Sequence, residues 1–289
     1  MVTRHYRLLT TTDRKTHDCA MMDTLLHQSF KTLRLTQPAE TVLQVTLTRP
    51  DAANALNTQM GRDLSAVFEA VALEPSMARC LILTGAGDKA FCAGGDLKER
   101  NGMSDEAWAY QHRIFERMLR AILDCPVPLI GAVNGAAYGG GCEIAAACDF
   151  VYAAQTARFA QTETRLGIIP GAGGTQTLAR AVGERRAKEL IFSARPFSAE
   201  QAAQWGLVNE VYPSADLIPA VTKTAAEIAA NAPIAVRQAK QSIHRGLQMS
   251  LSDGLWFEIE AYNRTVTTTD RHEGVTAFNE KRPPAFKGK

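Results

Sequence analysis

The sequence has few features that would point to metal binding, secretion or polyanion binding. It has 289 residues and six cysteines, Cys19, Cys80, Cys92, Cys125, Cys142 and Cys148. None stands in a C-x-x-C pair, and no histidine spacing completes a zinc pattern, so no metal site is expected. Scattered cysteines in a chain of this size read as reduced thiols, and the expected compartment is cytoplasmic. The formal net charge is only +2, which gives no electrostatic case for nucleic acid or an anionic membrane. No apolar run approaches the length that spans a bilayer. There is no sequence-periodic repeat and no low-complexity tract.

Residues 1–29 lack a signal-type apolar core, and Asp13 and Asp18 count against a transit peptide. They read as a flexible N-terminal extension, and a start at Met21 or Met22 fits the same reading. Beyond them the pattern is α/β. Two apolar-rich runs, Lys31 to Thr36 and Thr41 to Thr48, predict an antiparallel strand pair. Asn57 is placed to cap a helix with Met60, Leu64, Val67 and Val71 on one face, stopped by Pro75. Cys80 to Thr84, Leu129 to Val133 and Asp149 to Ala153 read as buried strands. Ser104, followed by Asp105 and Glu106, suits a helix start. Strand, glycine loop and helix recur with parallel-type crossovers over residues 30–214. From Ala215 only helices remain. One carries the stripe Leu217, Val221, Ala225 and Ile228, and another Leu255, Ile259, Tyr262 and Val266. Residues 215–289 are too poor in apolar positions for a core of their own, and are expected to pack on the core or on a neighbouring subunit.

Three glycine-rich segments stand out: Phe91 to Lys98, Asn134 to Glu143 and Gly167 to Thr175. None has the Lys-Ser/Thr of a phosphate loop or the spacing of a dinucleotide fingerprint. What glycine offers instead is backbone amide that a ligand can approach closely. Gly140 and Gly141 precede an apolar helix whose N-terminus carries unpaired amides and partial positive charge. Two such amides from separate loops can hold a developing oxyanion. Glu143 lies in the first turn of that helix and Glu163 in Gln161-Thr162-Glu163-Thr164. Taken singly, a dipole-serving acid and an exposed loop acid explain them. Two acids beside an oxyanion hole suit proton transfer at a carbon next to a carbonyl.

These segments together resemble the enoyl-CoA hydratase/isomerase (crotonase) superfamily. The resemblance runs from about Phe30 onward. It is carried by Arg49-Pro50 with Asn54-Ala55-Leu56, by Ala90 to Leu97, by Gly139-Gly140-Gly141-Cys142-Glu143 and by Leu166 to Thr175. The capping-box stretch Ser198 to Gln201, Gly206 to Val211, and Glu273 to Arg282 continue it. The resemblance implies a spiral core of stacked ββα turns with a C-terminal helical trimerisation region, assembled as a trimer or a hexamer of paired trimers. It places the oxyanion hole at the amides of Gly95 and Gly140, water activation on Glu143 and the C2 proton on Glu163. Asp96, Leu97 and Lys98 fall where the coenzyme A channel is lined. The implied reaction is syn addition of water to a 2-enoyl-CoA thioester, with no cofactor beyond the coenzyme A of the substrate.

The sequence departs from the pattern at Thr162 and Thr164, where hydratases often have Pro and Ile, and at Gly95, where many have Ala. Other thioester-enolate reactions, namely double-bond isomerisation and ring formation or opening, are the alternatives. An RNA-binding branch has a lysine-rich first helix, whereas residues 58–73 here carry Arg62 as their only basic residue.

Overall fold

The computed structural model describes residues 21–289. Residues 21–27 form a helix, α1, and its Met22 and Leu25 are buried in the main core. Apolar residues at 21, 22, 25 and 26 share one helical face. The extension expected to reach residue 29 is therefore structured from residue 21; its first twenty residues lie outside the described part. The expected hairpin follows as β1 (Leu33–Ala39) and β2 (Val42–Leu47), paired antiparallel with Leu33 opposite Leu47. Next comes α2 (Thr58–Leu73), whose Asn57 side chain accepts from the Met60 amide, as an N-cap does.

Three similar turns then succeed one another. The first contains β3 (Cys80–Gly85), β4 (Ala90–Cys92), the short α3 (Leu97–Arg100) and α4 (Asp105–Leu123). The second contains β5 (Leu129–Val133), β6 (Ala136–Tyr138) and α5 (Gly140–Ala147). The third contains β7 (Phe150–Ala154), β8 (Arg158–Ala160), a 3-10 turn over Glu163–Leu166, α6 (Gly174–Val182) and α7 (Glu184–Ser193). The odd strand of each pair joins a six-stranded sheet ordered β1-β2-β3-β5-β7-β10. The even strand joins a four-stranded sheet ordered β4-β6-β8-β9. The closing elements are β9 (Phe197–Ser198), α8 (Ala199–Trp205), β10 (Glu210–Tyr212), α9 (Leu217–Ala229), α10 (Pro233–Gly246), α11 (Leu251–Val266) and α12 (Thr269–Glu280). This is the crotonase-like spiral of stacked ββα turns. The capping box Ser198–Gln201 opens α8.

Strand β3 shows why its sequence is a continuous apolar run. It is central and parallel to both neighbours, so both of its faces are buried. Leu81 and Leu83 point into the main core with α2, α4 and α5, whereas Cys80 and Ile82 point to the opposite face. That opposite face is covered by Leu217, Val221, Ala225 and Ala229 of α9. The first helix beyond residue 215 thus seals the core. The last three helices bury little: Pro233 in α10, Ala261 in α11, and Asp270 and Ala277 in α12. Leu255, Trp256, Ile259 and Tyr262 stay exposed. No helix among the described residues is long and apolar enough to cross a membrane.

Candidate active site

The small sheet positions the site. β4, β6 and β8 lie side by side and parallel, with Ala90 beside Ala136, and Tyr138 beside Ala160. Their C-terminal ends therefore meet at one edge. β4 runs out into Gly94-Gly95, β6 into Gly139-Gly140 and β8 into Thr162-Glu163. These strands have only three residues each, too few for period-2 alternation to mark them; the sequence shows β4 and β6 only within glycine-rich segments and does not mark β8.

The two amides expected to form the hole donate to no acceptor among the described residues. Gly95 sits in a parallel bridge with Leu56 made by the Leu56 amide on the Gly94 carbonyl, 2.7 Å, and the Asp96 amide on the Leu56 carbonyl, 3.0 Å. Its own N–H points the other way. Gly140 is the first residue of α5, so its N–H has no intrahelical partner. The loops touch: a β-carbon on Gly94, whose φ is +92°, would lie 2.7 Å from the Tyr138 carbonyl oxygen. A β-carbon on Gly141 would lie 2.0 Å from the Cys92 carbonyl oxygen, so only glycine lets α5 start this close to β4. Asn54 anchors the Leu56 segment, donating to the carbonyls of Ala86 and Ala90 and accepting from the Arg49 amide. This accounts for the Arg49…Asn54-Ala55-Leu56 motif.

Both carboxylates face the same cavity as the two glycines. Glu143 is 3% exposed, and its Oε1 accepts from the amides of Ala172 and Gly174, each at 2.8 Å. Gly174 begins α6, so the positive end of a second helix holds this acid. Burial pushes its pKa up to about 7, with the Glu163 charge adding to the rise; the two amides and Arg100 oppose it. Glu163 opens the 3-10 turn and is buried rather than an exposed loop acid. Its Oε1 lies 3.0 Å from where a β-carbon on Gly139 would stand, and Oε2 has no hydrogen-bond partner among the described residues. Burial raises its pKa as well. Thr162 lines the cavity, and Thr164 Oγ1 donates to the Ile191 carbonyl, tying the turn to α7.

The cavity holds about 490 Å³. Of the three residues expected along a coenzyme A channel, Leu97 lines it. The Asp96 side chain caps α3 through the Lys98 and Glu99 amides and pairs with Arg49 at 2.8 Å. Lys98 is exposed and outside the lining. Arg100, Trp108, His112 and Ile169 also line the cavity. Arg100, Trp108 and His112 come from α3 and α4, where no motif singles them out, whereas Ile169 belongs to the glycine-rich segment Leu166 to Thr175.

Known proteins resemble this chain over most of its length. Residues 37–289 match the family model described as enoyl-CoA hydratase/isomerase, and the chain belongs to that family of enzymes. It is 42% identical to a short-chain-enoyl-CoA hydratase of Clostridium acetobutylicum, over 83% of this chain and 92% of that protein. It is 41% identical to the 2,3-dehydroadipyl-CoA hydratase of Escherichia coli, over 86% of this chain and 96% of the relative. The crystal structure of an enoyl-CoA hydratase from Bacillus anthracis superposes with a TM-score of 0.88 at 43% identity, covering 90% of this chain and all of that one.

Proposed function

We propose that the protein hydrates 2-enoyl-CoA thioesters, adding water syn across C2=C3 to give the 3-hydroxyacyl-CoA. The observation that carries this reading is the unequal hydrogen bonding of the two acids around one cavity. Glu143 has one oxygen held by two amides, which offset part of the rise that burial imposes and leave its pKa at about 7, and the other oxygen is left for water. Glu163 has a buried oxygen without a partner, which favours the protonated form. With the thioester oxygen between the N–H groups of Gly95 and Gly140, electron density is drawn from C3. Glu143 takes a proton from water as its oxygen attacks C3, and Glu163 delivers a proton to C2. The enolate-like charge rests on the two amides, an effect worth about 3 kcal/mol per donor. Proton exchange with solvent restores the pair. The addition is redox-neutral, so it calls for no redox cofactor; the two amides take the polarising role a metal would otherwise serve, and coenzyme A arrives with the substrate.

Double-bond isomerisation needs the acid at 163 alone. The two-amide seat built for Glu143 favours hydration. Leu97, Leu166 and Ile169 form an apolar, largely exposed rim suited to the pantetheine and acyl stems, with Lys98 beside it as a cation for phosphate. The exposed apolar face of α11 supports a homotrimer or a hexamer of paired trimers; light scattering that gave only monomer at micromolar concentration would exclude this. The five cysteines among the described residues are buried and unpaired there, which supports a reducing, cytoplasmic setting. The test of the reaction is a screen of enoyl-CoA thioesters of differing length and ring content, following loss of the conjugated enoyl absorbance and identifying the product. A 3-hydroxyacyl-CoA is expected, and unchanged absorbance with every thioester would refute hydration.

A further inference from the structure

Arg100 places a cation in a cavity whose proposed chemistry uses only amides and carboxylates. Its guanidinium lies over the Trp108 ring, 4.3 Å from the centroid, and 5.5 Å from that of Phe115. Nε donates to Gln111 Oε1 at 2.8 Å. Gln111 is 2% exposed and is itself fixed, donating to Thr58 Oγ1 and Glu99 Oε2, each at 2.8 Å. The bracket holds the plane of the guanidinium and leaves Nη1 and Nη2 without a hydrogen-bond acceptor or ion-pair partner among the described residues. Nη1 lies 3.1 Å from where a β-carbon on Gly95 would stand. The free end of the fork is therefore beside the proposed oxyanion hole, on the cavity wall. A partly desolvated guanidinium with two parallel N–H donors free matches a carboxylate in shape and charge.

We propose that Arg100 is the seat for a carboxylate carried on the acyl tail, so that thioesters of unsaturated dicarboxylic acids are the favoured substrate class. The inference rests on the thioester reading above but not on hydration. It is tested with unreactive saturated thioesters by calorimetry, comparing succinyl-, glutaryl- and adipyl-CoA with butyryl-, valeryl- and hexanoyl-CoA, and with free coenzyme A. At least one diacid thioester should bind about 10- to 100-fold more tightly than its monoacid partner. Arg100→Met should erase that ratio and Arg100→Lys should keep part of it. Equal affinities of all three pairs for the wild-type protein would overturn the proposal. So would an Arg100→Met variant that weakens free coenzyme A as much as the diacid thioester, since the arginine would then read the coenzyme's phosphates. A diacid preference without turnover of any enoyl thioester would leave this inference standing and remove hydration; hydration with no diacid preference would do the reverse.

Discussion

The floor of the cavity is backbone and two carboxylates at the ends of buried strands, whereas the wall facing it is a set of side chains on α3, α4 and the loop after the 3-10 turn. On the floor, Gly95, Gly140 and Glu143 are fixed by the register of β4 with β6 and by contacts as close as that of Gly141 with Cys92. On the wall, Leu97 is 50% exposed and Ile169 is 69% exposed, so they can shift or be exchanged at small cost to the fold. Bond-making chemistry needs atoms held within a fraction of an ångström, and buried strand ends supply that. Selecting an acyl group needs only a shaped surface. Floor substitutions should thus slow every thioester alike, and wall substitutions should change the ratio between thioesters.

The largest effect is expected at Glu163. Glu163→Gln keeps the size of the side chain but removes the proton proposed to reach C2. Hydration of short, long and branched thioesters should fall together by about 10²–10⁴-fold in kcat. A loss confined to one acyl class would move Glu163 from floor to wall.

A second test reads the strain of burying an acid on the floor. The Glu143 pKa of about 7 lies above its ordinary 4.5. Folding with the proton on is favoured below the unfolded value, and that stability is lost as pH rises through the folded value. Between pH 5 and 8 the wild-type protein should lose about 3 kcal/mol relative to Glu143→Gln. Denaturant unfolding at several pH values measures this. Parallel stability profiles would show that Glu143 is not held against its ionisation.

The smallest effect is expected on the wall. Ile169→Ala removes apolar surface from the rim and should raise KM by about 5-fold, more for long acyl groups than short, with kcat nearly unchanged. A kcat effect as large as that of Glu163→Gln would erase the distinction between the two surfaces.

The same contrast explains what the sequence made legible. The floor could be read because glycine is needed at particular places, at Gly94 for its positive φ and at Gly141 for lack of room. Glu143 and Glu163 became interpretable only beside those glycines. The long strands and α2 were legible from apolar runs and the Asn57 cap. The short strands β4, β6 and β8 were not, since three residues carry no period and their pairing comes from the spiral. Arg100 falls in the stretch 99–107 expected to shape the acyl pocket, but a single charged residue there carries no period or motif to mark it. Only the packing of α4 turns it inward, onto Trp108 and Gln111. The helix at 21–27 was hidden by the polar residues before it.

The division of labour between the two acids is the centre of this account, and exchange of the C2 proton tests it most directly. With a saturated acyl-CoA in deuterated water, exchange at C2 needs the acid at that carbon and no attacking water. Mass spectrometry of the recovered thioester should show deuterium incorporation with the wild-type protein and with Glu143→Gln, and its loss with Glu163→Gln. Equal loss of exchange in both variants, or wild-type exchange in Glu163→Gln, would contradict the assignment.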